Sequence, residues 1–113
     1  MESKIRVSGH MAEFRKAAAY SELGEGKVTA VKIDGQRIAL YRVNGDVLAT
    51  CEFCTHDDCS LEDFGKIDGD EVECTCHGAK FRIKTGEVTR PPATIPLQIF
   101  RVKIEGEDIY VEI

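Results

Sequence analysis

The sequence contains no long hydrophobic run and no excess of basic residues. No stretch of about 18 apolar residues occurs, so the chain has no segment that predicts a membrane-spanning helix. Residues 1–10 also lack the hydrophobic core of a secretory signal peptide, and we therefore expect a cytoplasmic protein. The 20 acidic residues outnumber the 15 basic ones, which gives a net charge of −5. Since a nucleic-acid-binding domain usually carries a basic surface, we expect neither a membrane nor a nucleic-acid partner.

Internal repeats and low-complexity segments are also missing. The 113 residues are enough for one domain and too few for two of ordinary size. Near the N-terminus, Gly9-His10-Met11 reads like a cloning junction followed by a second start methionine. We expect residues 1–11 to be a tag or a disordered N-terminus, and residues 12–113 to form a single domain. His10 is therefore not considered as a metal ligand.

Helical periodicity is nearly absent, whereas strand and hairpin patterns are frequent. Residues 12–23 form the one stretch compatible with a helix, and because it is short we predict a first strand followed by a turn. Residues 97–104 and 109–113 are predicted to form the last hairpin. Three pairs separate strand-like runs and favour hairpin turns, because their residues readily adopt positive φ: Asp34-Gly35, Asn44-Gly45 and Asp68-Gly69. The pattern indicates an all-β sandwich or barrel.

The residues that could carry chemistry are few and crowded together. All five cysteines fall between Cys51 and Cys76. In a cytoplasmic protein such crowding indicates a metal or redox site rather than a disulfide framework. Two motifs each offer one cysteine and one histidine, Cys54-x-His56 and Cys74-x-x-His77, with 17 residues between them. The predicted turn at Asp68-Gly69 could bring the two motifs face to face.

These residue types suit an iron–sulfur cluster. A [2Fe–2S] cluster takes two protein ligands on each iron, and two neutral imidazoles in place of thiolates on one iron raise its potential. A zinc site of two cysteines and two histidines is the main alternative, although zinc sites more often pair Cys with Cys and His with His along the chain. Cys51-x-x-Cys54 also matches the motif of thiol oxidoreductases, but that motif usually opens a helix of a βα unit, which this pattern lacks.

The motifs Cys54-x-His56 and Cys74-x-x-His77-Gly78 resemble the paired motifs of Rieske proteins. The resemblance extends over about residues 14–113 and is closest to the Rieske-type ferredoxins of bacterial aromatic-ring dioxygenases. It implies one [2Fe–2S] cluster held by Cys54, His56, Cys74 and His77, with both sulfurs on the buried iron. It also implies an antiparallel β-sandwich base, which carries an inserted small β cluster-binding subdomain at about residues 50–86.

The function implied by this resemblance is that of a soluble, monomeric one-electron carrier without catalytic residues. Its partners would be an NAD(P)H-dependent flavin reductase and a terminal Rieske non-haem iron oxygenase. Three alternatives remain open at the level of the sequence. The chain could be a Rieske subunit of a larger enzyme, such as a nitrite-reductase-like small component. It could also be a soluble fragment of a high-potential, quinol-oxidising Rieske protein, or a zinc-stapled interaction module.

One departure from the ferredoxin pattern and one difference from the high-potential Rieske proteins point in opposite directions. Cys59 and Cys76 occupy the positions at which quinol-oxidising Rieske proteins carry a disulfide, so we predict a Cys59–Cys76 bridge, with two reduced, buried thiols as the alternative. Ala79 and Phe81 stand where high-potential proteins carry Ser and Tyr, whose hydroxyls donate to the cluster sulfurs and raise the potential. Neither side chain here can donate, which predicts a low-potential ferredoxin.

Acidic and aromatic residues also lie close to the motifs. The acidic residues beside the first motif form either a solvated loop or a docking patch: Asp57, Asp58, Glu62 and Asp63. The aromatic residues are predicted to shield the cluster from water: Phe53, Phe64 and Phe81.

Overall fold

A computed structural model describes residues 13–56 and 58–113, so the predicted tag at residues 1–11 lies outside the described part. The described chain is mostly strand, as predicted, and all strand pairs are antiparallel. Its elements are β1 (Phe14–Ala19), a 3-10 turn (Tyr20–Glu22), β2 (Val28–Ile33), β3 (Gln36–Val43), β4 (Asp46–Cys51), α1 (Leu61–Phe64), β5 (Gly65–Asp68), β6 (Glu71–Cys74), β7 (Ala79–Arg82), β8 (Val88–Arg90), β9 (Ile99–Phe100), β10 (Val102–Glu105) and β11 (Asp108–Glu112). These strands form three sheets, ordered β1-β11-β10, β2-β3-β4-β9 and β5-β6-β7-β8.

The meander β2-β3-β4 follows the predicted hairpins. Its two turns are built on residues in the left-handed region, with φ of 51° at Asp34, 83° at Gly35, 52° at Asn44 and 82° at Gly45. Such two-residue turns match the natural twist of paired strands and fix their register. The first predicted strand and turn are also confirmed, as β1 and the 3-10 turn.

Strand β3 is buried on both of its faces. The four consecutive residues from Ile38 to Tyr41 are all fully buried. Because side chains alternate along a strand, Ile38 and Leu40 pack in one core with Ile109 of the β1-β11-β10 sheet. Ala39 and Tyr41 point to the other side and pack in a second core with the third sheet. The middle sheet therefore separates the core of the β-sandwich base from a second core.

The single strand predicted over residues 97–104 is wrong, because the chain changes sheets within it. Residues Ile99 and Phe100 form β9, which pairs with β4. After Arg101 the chain continues as β10, which pairs with β11 in the other sheet of the base. Residues 97–104 contain no Gly, Pro, Asn or Asp that would signal a turn, so the break could not be read from turn residues.

Helix α1 was not predicted from the sequence. It has four residues, and its N-cap Ser60 accepts a hydrogen bond from the Glu62 N–H. At its end, a side chain on Gly65 would clash with the Leu61 carbonyl oxygen, so glycine is required there. A single helical turn is too short to produce a hydrophobic period. Within the described ranges, no helix is long and apolar enough to cross a bilayer.

Candidate metal centre

The first loop, residues 54–59, leaves the base after β4. Its ends are closed by the Cys54 N–H, which donates to the Cys59 carbonyl at 2.9 Å. Phe53 and Ser60 form an antiparallel bridge just outside these two residues. Cys54 is 1% exposed, whereas His56 is exposed. The loop thus directs its cysteine into the protein and its histidine to the surface.

The second loop, residues 74–78, is a tight turn between β6 and β7. The Gly78 N–H donates to the Cys74 carbonyl at 2.8 Å, and Gly78 has a φ of 84° that favours glycine. Cys74 is 1% exposed, whereas His77 is exposed. The second loop therefore repeats the arrangement of the first, with a buried sulfur and an exposed imidazole.

The two loops meet at their tips. The ring centroids of His56 and His77 are 5.1 Å apart, with the ring planes at 89° to each other. Cys54 and Cys74 belong to one apolar core, which excludes water from both sulfurs. The other buried members of that core include Leu61, Val72, Phe81, Ile83, Ala93 and Leu97. The four predicted site residues are therefore brought together, two inside and two outside.

Cys51 does not join this arrangement. It lies in strand β4 and is partly buried, and its sulfur contacts the Phe53 carbonyl oxygen at 3.7 Å. Burial raises the pKa of the Cys51 thiol, whereas a reactive thiol of an oxidoreductase needs a lowered pKa. The motif Cys51-x-x-Cys54 also does not open a helix. The structure thus gives no support to a thiol oxidoreductase.

A comparison with known protein families identifies the pattern. Residues 13–101 match the family model described as the Rieske [2Fe–2S] domain. The chain belongs to the Rieske family.

The curated relatives of this Rieske protein are ferredoxins. The biphenyl dioxygenase ferredoxin subunit of Pseudomonas sp. (strain KKS102) is 40% identical over 99 residues, which cover 88% of this chain and 91% of that protein. The ferredoxin component of the p-cumate 2,3-dioxygenase system of Pseudomonas putida is 38% identical over 96 residues, which cover 84% and 81%. Both relatives are named as the ferredoxin part of a dioxygenase or dioxygenase system.

Solved structures show the same fold. The ferredoxin of Sphingomonas yanoikuyae B1 matches with a TM-score of 0.82 at 31% identity, and the match covers 88% of this chain and 98% of that one. A chain in the complex of reduced oxygenase and oxidized ferredoxin in carbazole 1,9a-dioxygenase matches with a TM-score of 0.81 at 36% identity, covering 88% and 92%. The predicted Rieske fold is confirmed.

The residues of this Rieske protein fit the cofactor of its family. Two thiols and two imidazoles on facing loops are the ligand set of a Rieske [2Fe–2S] centre. The apolar core around Cys54 and Cys74 suits sulfur ligands, and the exposure of both histidines leaves their side of the site near solvent.

Cys59 and Cys76 connect the two loops of this Rieske protein. Their sulfurs are joined as a disulfide, which is the predicted pairing. The sulfurs of Cys59, Cys74 and Cys76 also lie within 4.8 Å of one another, a grouping that superficially resembles a three-cysteine metal site. Since two of the three are paired as a disulfide, this group is not a separate metal site.

Ala79, Phe81 and Tyr41 lie in the same core as the thiols of Cys54 and Cys74. Ala79 and Phe81 are buried in the core of the two thiols and offer no side-chain donor. The buried Tyr41 hydroxyl lies 2.7 Å from Thr50 Oγ1, which itself donates to the Cys51 carbonyl at 2.7 Å. Thr50 has one hydroxyl hydrogen, so the Tyr41 hydroxyl must be the donor in their bond. Its proton is therefore committed to Thr50, and burial raises the pKa of Tyr41.

The acidic and aromatic residues are more varied than predicted. Glu62 accepts a hydrogen bond from the Ala30 N–H of β2 at 3.0 Å, so it has a structural partner, while Asp58 and Asp63 are exposed. Asp57 lies outside the described residues. Of the three rings predicted to shield the site, Phe81 is fully buried, whereas Phe53 and Phe64 are 37% and 43% exposed.

The main site feature missed from the sequence is a buried carboxylate. Glu52 lies two residues before Cys54 and is 2% exposed. It binds Arg37 of β3 and Ser60. A glutamate between two cysteines gives no local signal of burial, because its partner Arg37 is 15 residues away along the chain.

Proposed function

We propose that this Rieske protein is the ferredoxin component of a ring-hydroxylating dioxygenase system. It passes single electrons from an NAD(P)H-dependent flavin reductase to a terminal Rieske non-haem iron oxygenase, and it is a monomeric carrier rather than an enzyme. The observation that carries the proposal is the arrangement of two buried thiols behind two exposed imidazoles 5.1 Å apart. The names of its relatives support the same role.

The ligands of one [2Fe–2S] cluster would be Cys54, His56, Cys74 and His77. When bound, such a cluster accepts and releases one electron. The chain's contribution is to hold the four donors in place, to keep water from the sulfurs, and to present the imidazoles at the surface. Residues of about 50–86, with α1 and strands β5 to β7, would form the cluster-binding subdomain, whose sheet is extended by β8. Strands β1 to β4 and β9 to β11 would form the base.

The proposed partners dock transiently on the face that presents His56 and His77. Asp58 and Asp63 are exposed near the first loop, and the whole chain carries a net charge of −5. An acidic carrier is attracted to a basic docking surface, and such attraction speeds association. A cytoplasmic location is part of the proposal, and it is supported by the need for a reductase that uses NAD(P)H.

A high-potential Rieske role is the second candidate, and the paired Cys59 and Cys76 favour it. The side chains around the thiols oppose it. Ala79 and Phe81 have no donor, and the hydroxyl of Tyr41 donates to Thr50. Since hydroxyl donors at these two positions raise the potential in high-potential Rieske proteins, their replacement by Ala79 and Phe81 supports a low-potential ferredoxin.

A redox titration followed by low-temperature electron paramagnetic resonance separates these functions. We expect a reduced signal with an average g below 2 and a midpoint near the lower end of the roughly −150 to +300 mV Rieske range. A midpoint near the upper end would support quinol oxidation instead. A colourless protein without a signal would contradict both and support zinc.

A turnover experiment then tests the role of carrier. Stopped-flow reduction by a dioxygenase flavin reductase with NADH, followed by reoxidation on mixing with a terminal oxygenase, should require the intact protein. The variant Cys54→Ser serves as the control, and equal electron delivery by this variant would contradict the proposal.

A further inference from the structure

The carboxylate of Glu52 is held by three hydrogen bonds in an almost dry position. Arg37 donates to it from Nε at 2.8 Å and from Nη2 at 3.2 Å, and Ser60 Oγ donates at 2.6 Å. The Arg37 side chain is 49% exposed, whereas that of Glu52 is 2% exposed. A buried carboxylate is tolerated only when it is paired and hydrogen-bonded. Glu52 is therefore locked in one position by its partners.

Glu52 also closes the entrance of the first loop through its backbone. Its N–H donates to the Arg37 carbonyl at 3.2 Å, and its carbonyl accepts from the Leu61 N–H at 2.8 Å. Glu52, which lies before the loop, is thus bound to Arg37 of β3 and to Leu61, the first residue of α1 after the loop. Arg37 in addition lies over the ring of Phe53, with 5.5 Å between its guanidinium carbon and the ring centroid.

Helix α1 extends this connection to the second loop. Ser60, which donates to Glu52, also caps α1 by accepting from the Glu62 N–H at 3.2 Å. At the other end of the helix, the Phe64 carbonyl accepts from both the N–H and the hydroxyl of Thr75, each at 2.8 Å. Thr75 follows Cys74 directly. One buried side chain is thereby linked through a single helical turn to both loops.

We infer that Glu52 is the positioning residue of the proposed cluster site, and that its charge pair with Arg37 sets the local field that the cluster experiences. This inference rests on the proposed function. The pair is neutral as a whole, so removing either member leaves one uncompensated charge beside the first loop. An extra positive charge stabilises the added electron, and an extra negative charge opposes it.

A second Arg–Glu pair at the far end of the same strand, in which the glutamate is the more exposed member, provides the control. Glu25 accepts from the N–H groups of Asn44 and Gly45 at 2.6 and 3.0 Å, and its carboxylate lies 3.6 Å from Arg42 Nε. This second Arg–Glu pair holds the turn between β3 and β4. The contacts of Glu25 given above involve no residue of either site loop. Removal of this pair therefore tests the loss of stability alone.

The experiment compares single and double variants of the holoprotein. We expect Glu52→Gln to raise the midpoint potential, Arg37→Gln to lower it, and the double variant to return it towards the wild-type value. Glu52→Gln should also change the g values of the reduced signal, because the first loop loses part of its anchorage. Glu25→Gln, Arg42→Gln and their double variant should lower stability without changing the midpoint potential or the g values.

Unchanged g values and potential in a folded Glu52→Gln protein would overturn the inference and leave Glu52 as an ordinary structural ion pair. If Glu52→Gln does not fold, Arg37→Gln decides, since its side chain is half exposed, and a wild-type potential there would overturn the inference equally. Failure of the proposed function is distinguishable, because the wild-type protein would then either lack the Rieske signal or titrate near the upper end of the Rieske range.

Discussion

The two loops of the site present the same donors but are held by different means. Each loop is closed by a backbone bond of its own, from Gly78 to Cys74 in the second loop and from Cys54 to Cys59 in the first. Only the first loop is in addition flanked by a buried ionic side chain, since Glu52 joins Arg37 of β3 to Ser60 beyond the loop. The comparison teaches that one half of a metal site can be locally encoded while the other half depends on a contact distant in sequence.

Loss of a sulfur ligand should have the largest effect and should not distinguish the loops. We expect Cys54→Ser and Cys74→Ser each to abolish the Rieske signal and to reduce bound iron to background, because each removes one of two proposed sulfur donors. Iron analysis and electron paramagnetic resonance measure both effects. Cys51→Ser is the control and should keep the full signal. A normal signal in either ligand variant would refute the assignment of that cysteine.

Removal of the bond between the loops should have the next largest effect. The double variant Cys59→Ser/Cys76→Ser opens a link between residues 17 positions apart, which should lower the free energy of unfolding by about 3 kcal/mol. The g values should change little, because each loop keeps its own anchorage. Chemical denaturation followed by circular dichroism measures the loss. The wild-type protein treated with reductant should approach the variant, and equal stability of all samples would count against the bridge.

The backbone anchorage of the second loop can be weakened alone. Gly78 has a φ of 84°, so Gly78→Ala should destabilise the protein by about 1–2 kcal/mol through strain at this residue. No heavy atom lies near the added Cβ, so strain is the main effect. Gly69→Ala is a matched control in the turn between β5 and β6, with a φ of 65° and equally open space. Both variants should lose similar stability, but only Gly78→Ala should broaden or shift the g values.

The smallest effect at neutral pH concerns the core beneath the first loop. Burial raises the pKa of Tyr41 above its ordinary value of 10.0, so the unfolded chain ionises first as pH rises. Stability from this group is fully present below about pH 10 and is lost progressively above it. Tyr41→Phe should flatten this alkaline decline, and at neutral pH should cost about 1 kcal/mol for the bond to Thr50.

Unfolding curves between neutral and alkaline pH test this prediction. Tyr20→Phe removes a comparable hydrogen bond, from its hydroxyl to the Gly45 carbonyl at 2.7 Å, and should keep the wild-type decline because Tyr41 remains. An unchanged slope in Tyr41→Phe would show that another group causes it.

Local signals in the sequence were sufficient for the hairpins and for the facing arrangement of the two motifs. Asn44-Gly45 and Asp34-Gly35 adopt the positive φ on which the hairpin prediction depended. Features that rest on distant partners could not be predicted in this way. Burial of Glu52 depends on Arg37, α1 is one turn long, and the corner at Arg101 has no Gly, Pro, Asn or Asp that would signal a turn. In each case tertiary contacts, and not local preference, decide the structure.

The burial of β3 on both faces limits which sequence changes the strand can tolerate during evolution. Successive residues of this strand serve different cores, with Ile38 and Leu40 in the base and Ala39 and Tyr41 behind the thiols. A single inserted or deleted residue would exchange these two sets. Point substitutions can change either core separately, whereas the register of β3 determines which residues enter both cores. Substitutions can therefore accumulate independently in the core behind the thiols and in the core of the base. An insertion or deletion in β3 would disrupt both cores together.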